Sequence, residues 1–334
     1  MTSHSLDLLL SRFSDLSILV VGDFFLDRYL DIDPTLSETS LETGLEANQV
    51  VRVRNHPGAA GTVTNNLCAL GIGKVLALGC IGEDGHGFDL ERGLIDTGVD
   101  TTHLVRSPKR STPTYTKPMD TVTGKERERL DIKDRIPTPP EIEEEVLRLL
   151  QAQAGNVDGV VVLDQVQEAE CGVVTSRVRE SAAALGREQP ELPVLADSRE
   201  RIDEFRQVIV KPNEAEVRKT VGRDNLRSAA VALANRNGRP VFITRGAQGL
   251  LAADEESVFS VQAVQVPQPI DPVGAGDSVS ASLIAALSAG ASSKDAAKLG
   301  VLAASITIQQ IGTTGVATPD QIRQRFLEYP LDVS

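Results

Sequence analysis

Short apolar runs alternate along this chain with longer stretches whose apolar positions recur every three or four residues. Ser17–Asp23, Lys74–Ile81, Val160–Asp164, Pro193–Asp197, Val208–Pro212 and Val241–Thr244 are apolar runs ending in glycine or polar residues. Runs of this length bounded by such residues predict buried parallel strands. Helical spacing follows or intervenes at Val63–Leu70, Phe88–Thr97, Gly172–Leu185, Glu214–Val221 and Arg227–Asn237, the first stopped by Gly71. Thr138-Pro139-Pro140-Glu141 has the capping-box spacing at the head of a helix running to Gln153. Ser292-Ser293-Lys294-Asp295 and Thr318-Pro319-Asp320-Gln321 cap two closing helices in the same way. Repeated strand–helix alternation predicts a doubly wound, mostly parallel sheet with helices on both faces. Ligands in such folds bind beyond the carboxyl ends of the strands.

Two segments break the alternation. Residues 28–55 mix acidic and hydroxyl residues with Val50, Val51 and Val53 and show no helical period. Thr112–Met119 and Arg127–Asp131, joined through Thr123-Gly124, have a similar character. Both predict exposed strands that pair with one another as a small β-rich lid.

The chemistry concentrates in Asp271-Pro272-Val273-Gly274-Ala275-Gly276-Asp277, which leads at once into small and apolar residues at helical spacing. Glycines let backbone amides approach a ligand closely, and a helix start adds unpaired N–H groups and the positive dipole end. An anion hole of Gly274, Ala275 and Gly276 beside the Asp277 carboxylate suits phosphoryl transfer to a hydroxyl. A plain helix-capping turn is the alternative for this loop alone. The strand ending at Asp23 is not followed by GxGxxG, which weighs against a dinucleotide dehydrogenase.

Composition narrows the classes. With 334 residues, 41% hydrophobic and 24% charged, the chain has an ordinary globular composition, and its net charge is −13. An acidic total argues against nucleic acid or an anionic membrane as partner. Cys68, Cys80 and Cys171 are few and far apart without a CxxC pair, which predicts buried reduced thiols and a cytoplasmic protein. The first ten residues predict a short amphipathic helix rather than a signal peptide, and no apolar run reaches membrane-spanning length.

Four motifs, in order, carry a family resemblance: Pro57–Leu70, Lys211-Pro212-Asn213-Glu214-Ala215-Glu216, Thr244-Arg245-Gly246-Ala247-Gln248-Gly249 and Asp271–Asp277. The chain resembles the ribokinase-like (PfkB) carbohydrate kinases over nearly its whole length. Val21–Tyr29 and Arg129-Leu130-Asp131 are most similar to the heptose-phosphate kinases among them. The resemblance implies a single kinase domain spanning 1–334, with lid segments at about 28–55 and 112–131. It implies ATP and Mg²⁺, with Asp277 as the base and a sugar or sugar phosphate as acceptor. Asn213 and Glu216 would act on the metal and phosphates through water, because Mg²⁺ sheds its waters reluctantly. Thr244, Gly246 and Gly249 would line the nucleotide. Asp27 would bind sugar hydroxyls, and Gly58 would give the sugar close backbone access. A monovalent cation near Gly312 and a homodimer through the lid are also implied.

The departures bear on the acceptor. Ala59 replaces the second of a paired glycine, Thr62 stands where asparagine is expected, and Val301 falls where relatives often carry another asparagine. Arg52, Arg54, Lys109, Arg110, Lys117 and Arg129 lie in or beside the lid segments and offer a grip for an acceptor phosphate. Solvated charges balancing Glu38, Glu42, Glu46 and Asp120 are the alternative. A nucleoside kinase is a second possibility, though aromatic residues make up only 3%. A non-catalytic sugar or nucleotide sensor is a third, against which the intact Asp277 speaks.

Overall fold

The computed structural model describes residues 1–221, 225–254 and 256–331. In chain order its strands are β1 (Ser17–Gly22), β2 (Phe24–Thr39), β3 (Glu46–Ala59), β4 (Lys74–Gly82), β5 (Asp100–Ser107), β6 (Thr114–Asp120), β7 (Leu130–Ile132), β8 (Gly159–Asp164), β9 (Val194–Ser198), β10 (Ile209–Val210), β11 (Val241–Thr244), β12 (Leu250–Ala253) and β13 (Val258–Val261). The α-helices are α1 (Ser3–Ser11), α2 (Ala60–Ala69), α3 (Gly85–Asp96), α4 (Pro140–Gln153), α5 (Ser176–Glu188), α6 (Glu214–Val221), α7 (Leu226–Asn237), α8 (Ala275–Ser288), α9 (Ser293–Thr307) and α10 (Pro319–Glu328).

The main sheet has the order β13-β12-β11-β10-β9-β8-β1-β4-β5. It is parallel from β11 to β5, while β12 and β13 close one edge as an antiparallel hairpin. Strand alternation divides its side chains between two cores. Ile18 and Val20 of β1 join Val161 and Leu163 of β8 on the face covered by α1, α2, α8 and α9. Leu19, Val21, Val160 and Val162 point the other way, against α4, α5 and α7. Burial on both faces is why these strands have unbroken apolar runs.

The second sheet has the order β3-β2-β6-β7 and pairs the two lid segments, with β2 parallel to β6 in the register Asp27↔Tyr115 and Tyr29↔Lys117. Its last strand is shorter than the expected Arg127–Asp131 and lies at Leu130–Ile132, with a single bridge from Met119 to Glu126 closing the turn. β5, β12 and β13 were not expected. Polar Asp100-Thr101-Thr102-His103 opens β5 at a sheet edge, where only part of the strand is covered.

The capping box expected at Thr138 does not form. Pro139 is the N-cap of α4 without a side-chain bond, and the Thr138 hydroxyl donates instead to Gly172 O at 2.7 Å. Thr318 and Gln321 do form a complete box, whereas Ser292 accepts from Asp295 N at 3.2 Å. The three cysteines are free, and burial pushes the Cys68 thiol up to about 11 and that of Cys80 up to about 12. Among the described residues, no helix is long and apolar enough to cross a membrane.

Candidate active site

The carboxyl ends of β1, β8, β9, β10 and β11 deliver Asp23, Asp164, Asp197, Lys211 and Thr244 to one edge of the main sheet. Helix α8 starts over that edge. Its residues Ser278 to Ala286 are all buried, which accounts for their small and apolar character. Gly274 is the N-cap, with φ of 80°. Asp271 holds the preceding turn, its Oδ1 accepting from Val273 N at 3.1 Å and its Oδ2 from Gly312 N at 3.2 Å.

One member of the expected anion hole is already engaged. Ala275 N donates to Pro272 O at 3.2 Å and closes the turn. Among the described residues, the amides of Gly274, Gly276 and Asp277 have no protein acceptor, so they are the donors this helix start offers to an anion.

Asp277 stands in the first turn of α8 and opens to solvent through a cleft. Burial, aided by the Asp197 charge, pushes its pKa up to about 7, while Lys211 and Arg199 pull the other way. Asp197 Oδ2 lies 2.9 Å from Lys211 Nζ and accepts from Ser280 Oγ at 3.0 Å. Burial works against the Lys211 ammonium, but Asp197, Glu216 and Asp277 together hold its pKa above the ordinary value. A Cβ on Gly276 would come 3.7 Å from Lys211 Nζ, so this cation stands against the start of the helix. A carboxyl group near neutrality beside a buried cation and free amides is suited to general-base work on a reaction that builds negative charge.

Two clefts meet at this helix start. The first, about 350 Å³, is lined by Asp27, Ala59, Thr62, Gly274 and Asp277, by the loop from Gln165 to Cys171, and by the cations Arg110, Lys117, Arg129, Lys133 and Arg199. The second, also about 350 Å³, is lined by Thr244, Gly246, Gly249, Val264, Val279, Val301, Ala275 and Gly276, and is mostly apolar. Gly274 and Asp277 thus face one cleft while Ala275 and Gly276 face the other.

The expected residues are distributed around this division. Thr244, Gly246 and Gly249 share the apolar cleft. Asn213 is bridged to Thr244 at its mouth. Asn213 and Glu216 bind each other reciprocally: Asn213 N and Nδ2 each donate to Glu216 at 2.7 Å, and Glu216 N donates to Asn213 Oδ1 at 2.9 Å. Burial pushes the Glu216 carboxyl up. Asp27 lines the charged cleft already paired with Lys117 at 2.8 Å, and Lys117 also donates to Tyr29 Oη at 3.2 Å. Gly58 is not among the cleft-lining residues. A Cβ there would come 2.5 Å from Asp27 Oδ2, so the glycine makes room for that carboxylate.

Ala59 occupies φ 52°, ψ −116°, a conformation that glycine tolerates and alanine resists, so the expected glycine's backbone shape persists without the glycine. Thr62 is buried in the wall of the charged cleft. Val301 is not in that cleft but in the apolar one.

Of the six basic residues near the lid, three turn elsewhere. Arg54 pairs with Asp31 and Lys109 with Glu141, and Arg52 lies exposed outside the cleft lining. Arg110, Lys117 and Arg129 do line the cleft, Arg110 being bound to Asp134 and to Cys171 O. Lys133, Arg199, Asp197 and Lys211 are site residues that the sequence motifs do not single out. The Lys-Pro-Asn context of Lys211 was a usable signal, but nothing in the local sequence of the other three singles them out.

A family model described as pfkB family carbohydrate kinase matches residues 17–321. The chain is 33% identical over 330 residues to a bifunctional protein HldE of Desulfatibacillum aliphaticivorans, covering 95% of this chain and 64% of that protein. It is 30% identical over 332 residues to the HldE of Trichlorobacter lovleyi, covering 96% of this chain and 65% of that protein. This chain therefore spans about two thirds of the length of these curated relatives. Among solved structures, phosphofructokinase-2 from Escherichia coli in complex with fructose-6-phosphate superposes with a TM-score of 0.69 at 19% identity, covering 94% of this chain and 98% of that one. Arabidopsis thaliana ribokinase complexed with ribose and ATP gives 0.67 at 18% identity, covering 93% and 98%.

Proposed function

Since the chain belongs to the pfkB family of carbohydrate kinases, we propose that it transfers the γ-phosphoryl group of ATP to a hydroxyl of a sugar phosphate, with Asp277 as the general base. The carrying observation is the division at the start of α8, where Asp277 faces a charged cleft and Gly276 an apolar one. A nucleotide in the apolar cleft would bring its phosphates to the free amides, and an acceptor in the charged cleft would bring its hydroxyl to Asp277. The hydroxyl oxygen forms the new P–O bond, its proton passes to Asp277, and the bond to ADP breaks. Gly276, Gly274 and Lys211 then lie where charge on the transferred group needs opposing.

ATP of this kind works with Mg²⁺. Among the described residues, no cluster of three or more His, Cys, Asp or Glu is placed to hold a metal directly. Asn213 and Glu216 have their side-chain atoms engaged with one another, which suits contact with a hydrated ion through water better than direct ligation. A monovalent cation near Gly312 belongs to the same reading; Asp271 Oδ2 accepts from Gly312 N there.

The acceptor's phosphate is read from the charge of the cleft. Five cations and four carboxylates (Asp27, Asp134, Glu168 and Asp277) line it; Lys117 is paired with Asp27 and Arg110 with Asp134, so the charge open to a ligand rests on Arg129, Lys133 and Arg199. Arg129 and Lys133 lie over the Tyr115 ring at 4.6 and 5.2 Å, and Asp131 is their shared carboxylate partner at 2.7 and 3.6 Å. Two cations on one carboxylate leave positive charge for a phosphate. The same arrangement speaks against a nucleoside acceptor, because cations already cover the aromatic face a base would stack on. Heptose phosphates lead the list of acceptors on the strength of the Val21–Tyr29 and Arg129–Asp131 segments.

ATP consumption across a panel of sugars and sugar phosphates tests the proposal, with turnover of at least one phosphorylated sugar expected. Consumption that no sugar stimulates would overturn it. A cytoplasmic location and a homodimer complete the reading. Val51, Val53, Leu130 and Ile132 leave apolar surface exposed on the lid sheet, which a second copy would cover. A fully active monomer by light scattering at micromolar concentration would refute the dimer.

A further inference from the structure

One buried carboxylate takes no part in the chemistry above. Asp23 follows β1 directly and is 3% exposed. Its Oδ2 accepts from Gln165 N at 2.8 Å and Val166 N at 3.0 Å, and its Oδ1 from Val173 N at 2.7 Å. These amides sit at the two ends of the loop that leaves β8. Gln165, Val166, Gln167, Glu168 and Cys171 of that loop form one wall of the charged cleft.

The loop's carbonyls are held by charges as well. Arg201 donates to Gln167 O at 2.9 Å and to Val166 O, and pairs with Asp164 at 2.5 Å. Arg110 donates to Cys171 O at 2.5 Å. Asp23 thus gathers the loop's donors while two arginines gather its acceptors. The backbone cannot make these bonds for itself, because the segment from 165 to 173 belongs to no helix or strand.

We infer that Asp23 is a positioning residue for the acceptor: by drawing together the amides of Gln165, Val166 and Val173, its carboxylate sets the shape of the cleft wall that the acceptor meets. The inference rests on the reading that the charged cleft holds the acceptor. It also makes that wall dependent on pH. Only the ionised group presents both oxygens as acceptors, whereas a protonated carboxyl turns an O–H donor toward one of three N–H donors. Burial and the neighbouring Asp164 raise the Asp23 pKa to about 6, with the three amide bonds opposing. The other charged or titratable groups facing it are Arg201, Arg110 and the Cys80 thiol of β4, the last neutral because burial pushes it up to about 12. The raised value means that holding Asp23 ionised costs stability above about pH 6. The fold bears this cost in return for the ordered loop.

Hydrogen exchange of the wild-type protein, corrected for intrinsic rates, tests the loop without any substrate. Lowering the pH from 8 to 5 should reduce protection of Gln165, Val166 and Val173 about tenfold, the scale of losing one buried charge-assisted hydrogen bond, while Val160–Leu163 in β8 stay protected. Asp23→Asn at pH 8 should match wild type at pH 5 and lose the pH response, and Asp277→Asn should keep it. With a heptose phosphate, or whichever panel member is turned over fastest, Asp23→Asn should raise the acceptor KM about tenfold and leave the ATP KM and kcat within about twofold. If Asp23→Asn does not fold, Gly172→Ala disturbs the same contact from the loop side, since its Cβ would meet the Asp23 oxygens at 2.8 and 3.0 Å. Loop protection indifferent to pH overturns the inference outright. A responsive loop with an unchanged acceptor KM also overturns it, leaving the proposed function intact. Absence of turnover with every sugar would strike the proposed function instead, and the exchange result would still report on the loop.

Discussion

The two clefts that meet at α8 are of equal size and opposite construction. The apolar cleft joins the Thr244–Gly249 turn to branched apolar side chains such as Val264, Val266, Val279 and Val301, contributed by consecutive elements from β11 to α9. The charged cleft draws Asp27 and Lys117 from the lid sheet, Arg199 from the end of β9, the 165–171 loop from the end of β8, and Asp277 from α8. A cleft assembled from distant side chains can change its ligand by changing one of them. Under the proposed function the nucleotide meets the apolar cleft and the acceptor the charged one.

The largest effect that would sharpen this contrast is loss of the group at the junction. Asp277→Asn should reduce kcat by about 10²–10⁴-fold, the range for a positioned general base, with both substrates still bound in calorimetry. Near-wild-type turnover would refute the role. The same variant should raise the melting temperature at pH 8. The Asp277 pKa is raised to about 7 in the folded state, so its favourable contribution is complete below its unfolded value and lost as pH rises through about 7. The gain from the amide should therefore vanish near pH 4.

Next in size is the acceptor grip. The double variant Arg129→Ala, Lys133→Ala should lower kcat/KM for a phosphorylated acceptor by about 10- to 100-fold, as expected for lost charge-assisted bonds, and leave the ATP KM unchanged. Equal losses for the matched free sugar would contradict a phosphate site there.

A subtler effect comes from the ion pair under the base. Asp197→Asn removes a charge that raises the Asp277 pKa, and Lys211→Met removes one that lowers it. The acid limb of the kcat/KM profile should move to lower pH in the first and to higher pH in the second. An acid limb that moves in neither variant would show that the pair does not set the titration of the base. Smallest is Ala59→Gly, which should stabilise the protein by about 1 kcal/mol in urea unfolding by relieving the positive φ. Destabilisation would mean that the strain is not there.

How far the sequence could be read follows the same division. The parallel core strands and α8 were legible because burial on both faces leaves an unbroken apolar signal. Thr244, Gly246, Gly249 and Asp277 were legible because each belongs to a local pattern. The lid pairing was visible only as a loss of helical period, and the edge strand β5 was hidden by its polar opening. Thr138 had the right spacing for a cap, but the tertiary partner Gly172 claimed its hydroxyl. Asp197, Arg199 and Lys133 carry no local mark, since what makes them part of the site is the sheet order that brings β9 and β7 to it. Val301 lines the apolar cleft rather than the charged one, a placement its own local sequence does not signal. That a Cβ on Gly58 would meet the Asp27 carboxylate is a tertiary contact the sequence does not signal.

The most direct test of the account compares kcat/KM for matched free and phosphorylated sugars, heptoses included, under identical ATP and Mg²⁺. The account predicts that a phosphorylated sugar is the best acceptor and that its advantage collapses in the Arg129→Ala, Lys133→Ala variant. A free sugar turned over better than every phosphorylated one would contradict it.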